Sequence, residues 1–225
     1  VTISGDQNLS SSAFVLDFSD LEIETGIDDI SNLYTVQLEN MQAYIGRKES
    51  EFSKSGDPDG IAESVLSFVR GAEAPRFFIH GSLLFAWSSY ESIMGTLVDR
   101  IAKGSNPEVK IRPKDLKGDF LKRLRMYFDK VLHIDNAISK EDYHFLETFY
   151  SVRCALAHES GDMWLMKQKS IEKLKRTDPS GELFSFDHRY FVIKEKYASL
   201  AINKIQQNLR DIYTLYRNKY KDGRS

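Results

Sequence analysis

"PRFFIHGSLLFAWSSYESIMGTLVDRIAKGSNP", residues 75–107, decides what kind of fold this chain builds. A proline at the start suits the first turn of a helix, where its missing N–H costs nothing. Ile79, Leu83, Ala86, Tyr90, Met94, Leu97 and Ile101 then recur every three or four residues, which places them on one helical stripe. "KGSNP" supplies the stop. A helix of this length with a continuous apolar stripe needs other elements to cover it, and the flanking sequence offers mostly helices.

Downstream, a helix is expected over about 115–134, with Phe120, Leu121, Leu124, Tyr127, Phe128 and Val131 inward. Ser139 offers an N-cap with Asp142 three residues on, and the helix it opens should reach about Ser160. "MWLMKQKSIEKLKR", residues 163–176, reads as a shorter basic helix. "ELFSFDHRYFVI", residues 182–193, alternates enough for a small hairpin or extended segment. Lys194 to about Tyr220 forms a long last helix with Tyr197, Ala201, Ile205, Leu209, Ile212 and Tyr216 on one face.

Upstream, a short helix covers roughly 61–70, and the turn cluster "SKSGDPDG" at 53–60 is the best boundary. Asp28 to about Phe52 reads as a helix, with Leu33, Val36, Leu38, Met41, Tyr44 and Ile45 at mixed helical spacing. The first 25 residues, with the patch "AFVLDF", are either a strand or a loosely docked arm. No solenoid-length repeat and no long low-complexity tract occurs. The expected fold is therefore all-α: an acidic N-terminal arm with a helix over 1–60, a helical bundle over 61–225, and one minor β element.

Composition narrows the class. With 41% hydrophobic and 12% aromatic residues in 225, the chain can bury a real core. Cys154 is the one cysteine, so neither an internal disulfide nor a cysteine-based zinc site can form, which suits a reducing cytoplasm. No run of about 18 apolar residues suggests a membrane span. Val1 begins no charged-then-apolar leader, so no secretory signal is expected, and the missing initiator Met suggests a processed or trimmed chain. The net charge of −2 hides a balance of −10 over residues 1–64 and +8 over 65–225, an asymmetry that hints at nucleic acid. Two ordinary solvated surfaces would look the same.

One stretch breaks the pattern. In "YSVRCALAHESG", residues 150–161, Arg153 falls where the apolar spacing calls for Leu or Phe. On a wheel with Leu146 at zero and about 100° per residue, Phe149 lies near 300°, Tyr150 near 40°, Leu156 near 280° and Ala157 near 20°. Arg153 lands near 340°, in the middle of that stripe, and His158 near 120°, about 7.5 Å further along the axis. A buried guanidinium needs a partner. Either an internal carboxylate supplies it, Glu91 or Glu147, or the pair converges on a group held beside the helix. His158 alone is equally explained as a surface residue near a helix C-terminus.

Together the two residues carry a resemblance. "VRCALAHESG" is similar to the Arg-x4–6-His motif of HEPN domains, the higher eukaryote and prokaryote nucleotide-binding family. "LLFAWSSYESIMGTLVDRI" resembles the long early helix of such domains, with Glu91 as its acidic residue, and residues 190–216 look like their final helix. The resemblance covers roughly 75–220. It implies a HEPN-like helical bundle acting as a metal-independent endoribonuclease without cofactor. It also implies a homodimer whose two motifs face each other. Arg153 would stabilise phosphate, His158 would transfer protons, and Glu91 would support them. Many active members have Asn or Asp after the Arg, whereas this chain has Cys154, whose thiol is a weak donor. That departure leaves open a catalytically silent dimerisation or nucleotide-binding module. A structural adaptor, with Arg153 paired inside one protomer, also stays open. The resemblance further suggests a toxin or antiphage effector, with an inhibitor or antitoxin as partner.

The chemistry fits the residues. Cleavage of RNA through its 2′-hydroxyl needs a base, an acid and cations against the phosphate, and His and Arg suit those roles. His80, His133, His144, His158 and His188 show no metal-ligand spacing, and no Gly-rich phosphate loop or G-x-S-x-G elbow is present. Residues 110–130 hold eight basic side chains against three acidic, and 167–176 hold five against one. Lys122, Arg123 and Arg125, with Tyr127 and Phe128 interleaved, are candidate RNA contacts; solvated helix faces are the plainer reading.

Overall fold

A computed structural model of the protein describes residues 18–55, 61–108, 110–187 and 189–221. In chain order the elements are α1 (Phe18–Ser55), α2 (Ile61–Phe68), α3 (Ala74–Ser105), α4 (Phe120–Lys130), α5 (Lys140–Glu159), α6 (Gln168–Thr177), β1 (Phe184–Asp187), β2 (Tyr190–Ile193) and α7 (Glu195–Tyr216). The fold is all-α with one small antiparallel hairpin, in which Phe184 pairs with Ile193 and Asp187 with Tyr190.

All seven residues of the α3 stripe, Ile79 to Ile101, are buried. The helix has Pro75 in its first turn, and it ends at Asn106, whose left-handed backbone (φ 44°) returns its N–H to Ala102. A π-helical segment, Val69–Glu73, joins α2 to α3 without leaving the right-handed helical region, and buries Val69 and Ala72. Helices α1, α5 and α7 all pack on α3. At the junction with α5, the ring of the fully buried Trp87 meets Phe149 at 5.4 Å and Tyr150 at 5.5 Å, with Phe120 of α4 at 6.4 Å. Removing so large a buried ring would cost about 3–5 kcal/mol. The predicted face of α7, Tyr197 to Tyr216, is buried throughout.

Three elements differ from their expected limits. The basic helix expected over 163–176 begins only at Gln168, as α6. Helix α4 is shorter than the 115–134 expected. Gly118 has φ +123°, which no helix interior accommodates, so the helix begins only after Asp119, whose carboxylate caps the Lys122 N–H at 2.9 Å. His133 at φ 52° lies beyond its end. Helix α1 begins ten residues before Asp28, so residues 18–25 are helical rather than strand or loose arm; the rest of the "AFVLDF" patch lies outside the described residues. Its inward stripe is Ile23, Ile27, Ile30, Tyr34 and Met41, whereas Val36 faces solvent.

The acidic segment is thereby tied to the bundle. Its stripe belongs to the same core cluster as the buried residues of α3 and α7. Gln206 of α7 donates to the Ile27 carbonyl at 2.8 Å and to Ser31 Oγ at 2.9 Å. Asp20 pairs with Arg100 at 2.7 Å and Asp28 with Arg210 at 2.6 Å. Among the described residues, α1 makes no ion pair with the basic stretches 110–130 or 167–176. The turn cluster read as a boundary lies partly outside the described residues, at 56–60. Among the described residues no helix is long and apolar enough to cross a membrane.

Candidate functional site

Helix α5 carries the Arg153–His158 pair and is fixed at both ends. Ser139 Oγ accepts the Asp142 N–H at 3.0 Å, and the Asp142 carboxylate pairs with Lys204 of α7 at 2.8 Å, locking the N-terminus to the last helix. At the C-terminus Ser160 takes a left-handed backbone (φ 52°) and returns its N–H to Leu156, while Gly161 returns its own to Ala155 at 3.2 Å. This double return satisfies carbonyls that would otherwise be orphaned.

Burial corrects the helical wheel. The buried residues of α5 are Leu146, Thr148, Phe149, Val152, Ala155 and Leu156. Their directions average about 250° at 100° per residue, so Arg153 lies some 90° away, at the edge of the core face rather than in its middle. Ala157 is exposed, and Val152 and Ala155 take the inward places. Arg153 is accordingly half-buried, with its head able to reach water. Among the described residues it forms no ion pair, with Glu91, Glu147 or any other carboxylate. His158 is exposed one turn further on. Between the two, in helical phase, come Tyr150, Cys154 and Ala157, so the cation and the imidazole flank that strip of the helix.

The surroundings sort the remaining candidates. Glu91 is half-buried on α3, one turn beyond Trp87 and on the same side of the helix, which is the side that meets α5. Cys154 contacts Tyr150, whose hydroxyl pKa is raised by burial first and by that contact next, with the Asp119 charge adding and the Arg153 charge opposing. Cys154 also lines a groove of about 260 Å³ between α5 and α6, with Ser151, Glu159, Lys169, Ser170 and Lys173. Lys173 donates to Ser151 Oγ across it at 2.7 Å.

Lys122, Arg123 and Arg125 do not present one face. Lys122 is exposed; Arg125 is exposed, lies 4.8 Å over the Tyr143 ring and sits 3.8 Å from Asp129. Arg123 turns inward. Its buried Nε has no hydrogen-bond partner, and it lines a cavity of about 290 Å³ with Asp99, Arg112, Lys114 and Phe120. Phe120 at the start of α4 and Tyr150 of α5 both pack on the Trp87 ring, which brings the α4 N-terminus to the Tyr150 side of α5.

Sequence reasoning did not find a group just past the C-terminal end of α5: Arg76, Trp164, Arg189 and Tyr190, which come from three separate segments. No periodicity links them, and only Trp164, standing in "MWLM" ahead of a basic helix, gave a hint. Among the described residues no group of three or more His, Cys, Asp or Glu side chains is placed to hold a metal ion. The chain matches no protein-family model, no curated protein and no solved structure.

Proposed function

We propose that this chain is an endoribonuclease of the HEPN type, working without metal as a homodimer. The observation that carries the reading is the state of Arg153. It is a half-buried guanidinium with no carboxylate partner among the described residues, about 140° around α5 from an exposed histidine, the two flanking the outward face of the helix. Such a cation is available to a phosphate, and the internal pairing that would make it a structural bridge is not formed.

In the proposed reaction one His158 takes the proton of the 2′-hydroxyl, and that oxygen attacks the adjacent phosphorus. The bond from phosphorus to the 5′-oxygen breaks, and the partner subunit's His158 gives that oxygen a proton. The products carry a 2′,3′-cyclic phosphate and a free 5′-hydroxyl. Arg153 meets the charge that grows on the non-bridging oxygens, where its planar fork is well matched. One protomer has a single histidine in the motif, so a two-fold arrangement supplies both acid and base. A role as a toxin or antiphage effector, restrained by an inhibitor, belongs to the same proposal.

Cys154 favours a second reading, a silent dimerisation or nucleotide-binding module. Its thiol lies against Tyr150 and lines the α5–α6 groove, so it offers the neighbouring Arg153 no amide. Incubation of the pure protein with labelled RNA in EDTA separates the two. Cleavage leaving cyclic-phosphate ends, lowered about 10²–10⁴-fold in His158→Ala and comparably in Arg153→Ala, supports the enzyme. Full activity in His158→Ala, or activity only with added Mg²⁺, overturns it.

A further inference from the structure

Just past the C-terminus of α5 an arginine and a ring alternate twice. Arg76 of α3 lies 3.7 Å over the Tyr190 ring, Arg189 lies 5.4 Å from the same ring, and Arg189 lies 4.9 Å over Trp164. Guanidinium groups over aromatic faces attract them electrostatically and hold them flat.

The series is anchored at each member. Arg189 donates to the buried Asp162 carboxylate from Nε at 2.8 Å and from Nη2 at 2.7 Å. The other oxygen of Asp162 accepts the Trp164 N–H at 3.0 Å. Arg76 donates to the Ser160 carbonyl at 3.4 Å, and Met163 donates its N–H to the Arg189 carbonyl at 2.7 Å. These bonds run directly into the cap that ends the His158 helix.

Trp164 nevertheless remains 76% exposed. A large ring that is pinned by its backbone, backed by a cation and open to solvent is arranged to receive another flat group. Its setting is cationic: Asp162 pairs with Arg189 and leaves Arg76 without a carboxylate partner among the described residues, and α6 with its leading Lys167 brings five basic residues against one acidic. A protein partner would have to bury those charges against carboxylates of its own. A nucleic-acid strand brings a flat base and a phosphate in every residue, and stacking on an aromatic is the usual way an unpaired base is held.

We propose that Trp164, backed by Arg189 and joined through Tyr190 to Arg76, is a stacking site for an unpaired base of an RNA strand. The strand is the one that passes His158, so the inference rests on the RNA-cleaving reading. The consequence concerns substrate class. A base in a duplex has both faces covered by its neighbours, so the site selects single-stranded RNA. Purines, with more surface to stack, should bind more tightly than pyrimidines. Stacking six residues from the catalytic histidine also fixes which phosphate is presented to it.

The chain has two tryptophans, and Trp87 is fully buried, so quenching by a stacked base reports on Trp164. The probe is a fully 2′-O-methylated oligopurine, which lacks the nucleophile and cannot be cut, beside an abasic ribose-phosphate strand of equal length and charge. Binding is followed separately by the anisotropy of a dye on the strand. The oligopurine should quench tryptophan emission and the abasic strand should not. Trp164→Ala should weaken oligopurine binding about 5- to 150-fold, and Trp164→Phe should restore most of it. Binding by anisotropy with no quenching, and unchanged in Trp164→Ala, overturns the stacking site while leaving an RNA-binding protein. No binding of any strand overturns the RNA reading as well. If Trp164→Ala instead separates a dimer without changing RNA affinity, the ring belongs to a protein interface and the stacking site is wrong.

Discussion

Gly161 accepts the Phe191 N–H at 2.8 Å, at an approach that leaves little room for a side chain. A Cβ there would lie 3.0 Å from the Phe191 carbonyl oxygen and 3.4 Å from His80, on a backbone already at φ +68°. Three elements, α5, β2 and α3, therefore meet on one missing atom. Gly161→Ala should lose about 1–3 kcal/mol, seen as a lower urea midpoint. Ser160→Gly, which relieves a serine held at φ 52°, should go the other way by up to about 1 kcal/mol. Equal midpoints for both variants and the parent would show that the cap contributes nothing.

His80 is buried in the same corner, and its Nε2 accepts the Ile193 N–H at 3.4 Å. Burial, aided by the Arg76 charge, lowers its pKa from 6.5 to about 3. Between those values the unfolded chain binds a proton that the folded chain refuses. Stability should thus fall as pH drops from about 6.5 toward 3, by up to about 1.4 kcal/mol per pH unit. Asp162, held below the usual carboxylate range by Arg189, loses its contribution only at lower pH. His80→Gln should flatten the upper part of this slope whatever it does to overall stability. A parent profile already level between pH 4 and 6 would contradict the assignment.

The half-buried, unpaired Arg153 should be a liability to the fold. Arg153→Met keeps the stem and removes the charge, and it should leave stability unchanged or raise it by about 1 kcal/mol while abolishing cleavage. Thermal melts beside the RNA assay would separate the two effects. A loss of 3 kcal/mol or more would mean that the guanidinium has a partner within the protomer.

Removing α1 tests its place in the core. Ile27→Ala should cost about 2–4 kcal/mol, and a chain beginning at Ile61 should lose cooperative unfolding altogether. A shortened chain that melts as sharply as the parent would make α1 an appendage.

What the sequence could reveal follows from where the physics is local. Ser139 with Asp142 announced the start of α5, because a cap is written within four residues. The α3 stripe was readable because each of its positions obeys one spacing. Arg153 was misplaced by a quarter turn, because periodicity treated the exposed Ala157 as core and passed over Val152 and Ala155. The stripe of α1 was legible only in part: Leu38, Met41, Tyr44 and Ile45 do meet the core, but Val36 is apolar and faces water, and Ile23 and Ile27 precede the expected start. The Arg76–Tyr190–Arg189–Trp164 series was beyond reach, because it depends on the fold bringing position 76 to position 190.

The π-helical turn between α2 and α3 absorbs one residue while keeping the faces of the two helices in phase. Each residue of an α-helix turns the chain by about 100°, and a π-turn holds one residue more than an α-turn. Deleting Gly71, where an added Cβ would meet no other element within 4 Å, would let residues 61–105 close into one regular helix. The rotation across the junction would stay close to that of one α-turn, so Leu66 would still face the core that now buries it. The junction can thus lose one residue and keep its packing, whereas a gap within the regular part of α3 would turn the preceding stripe by about 100°.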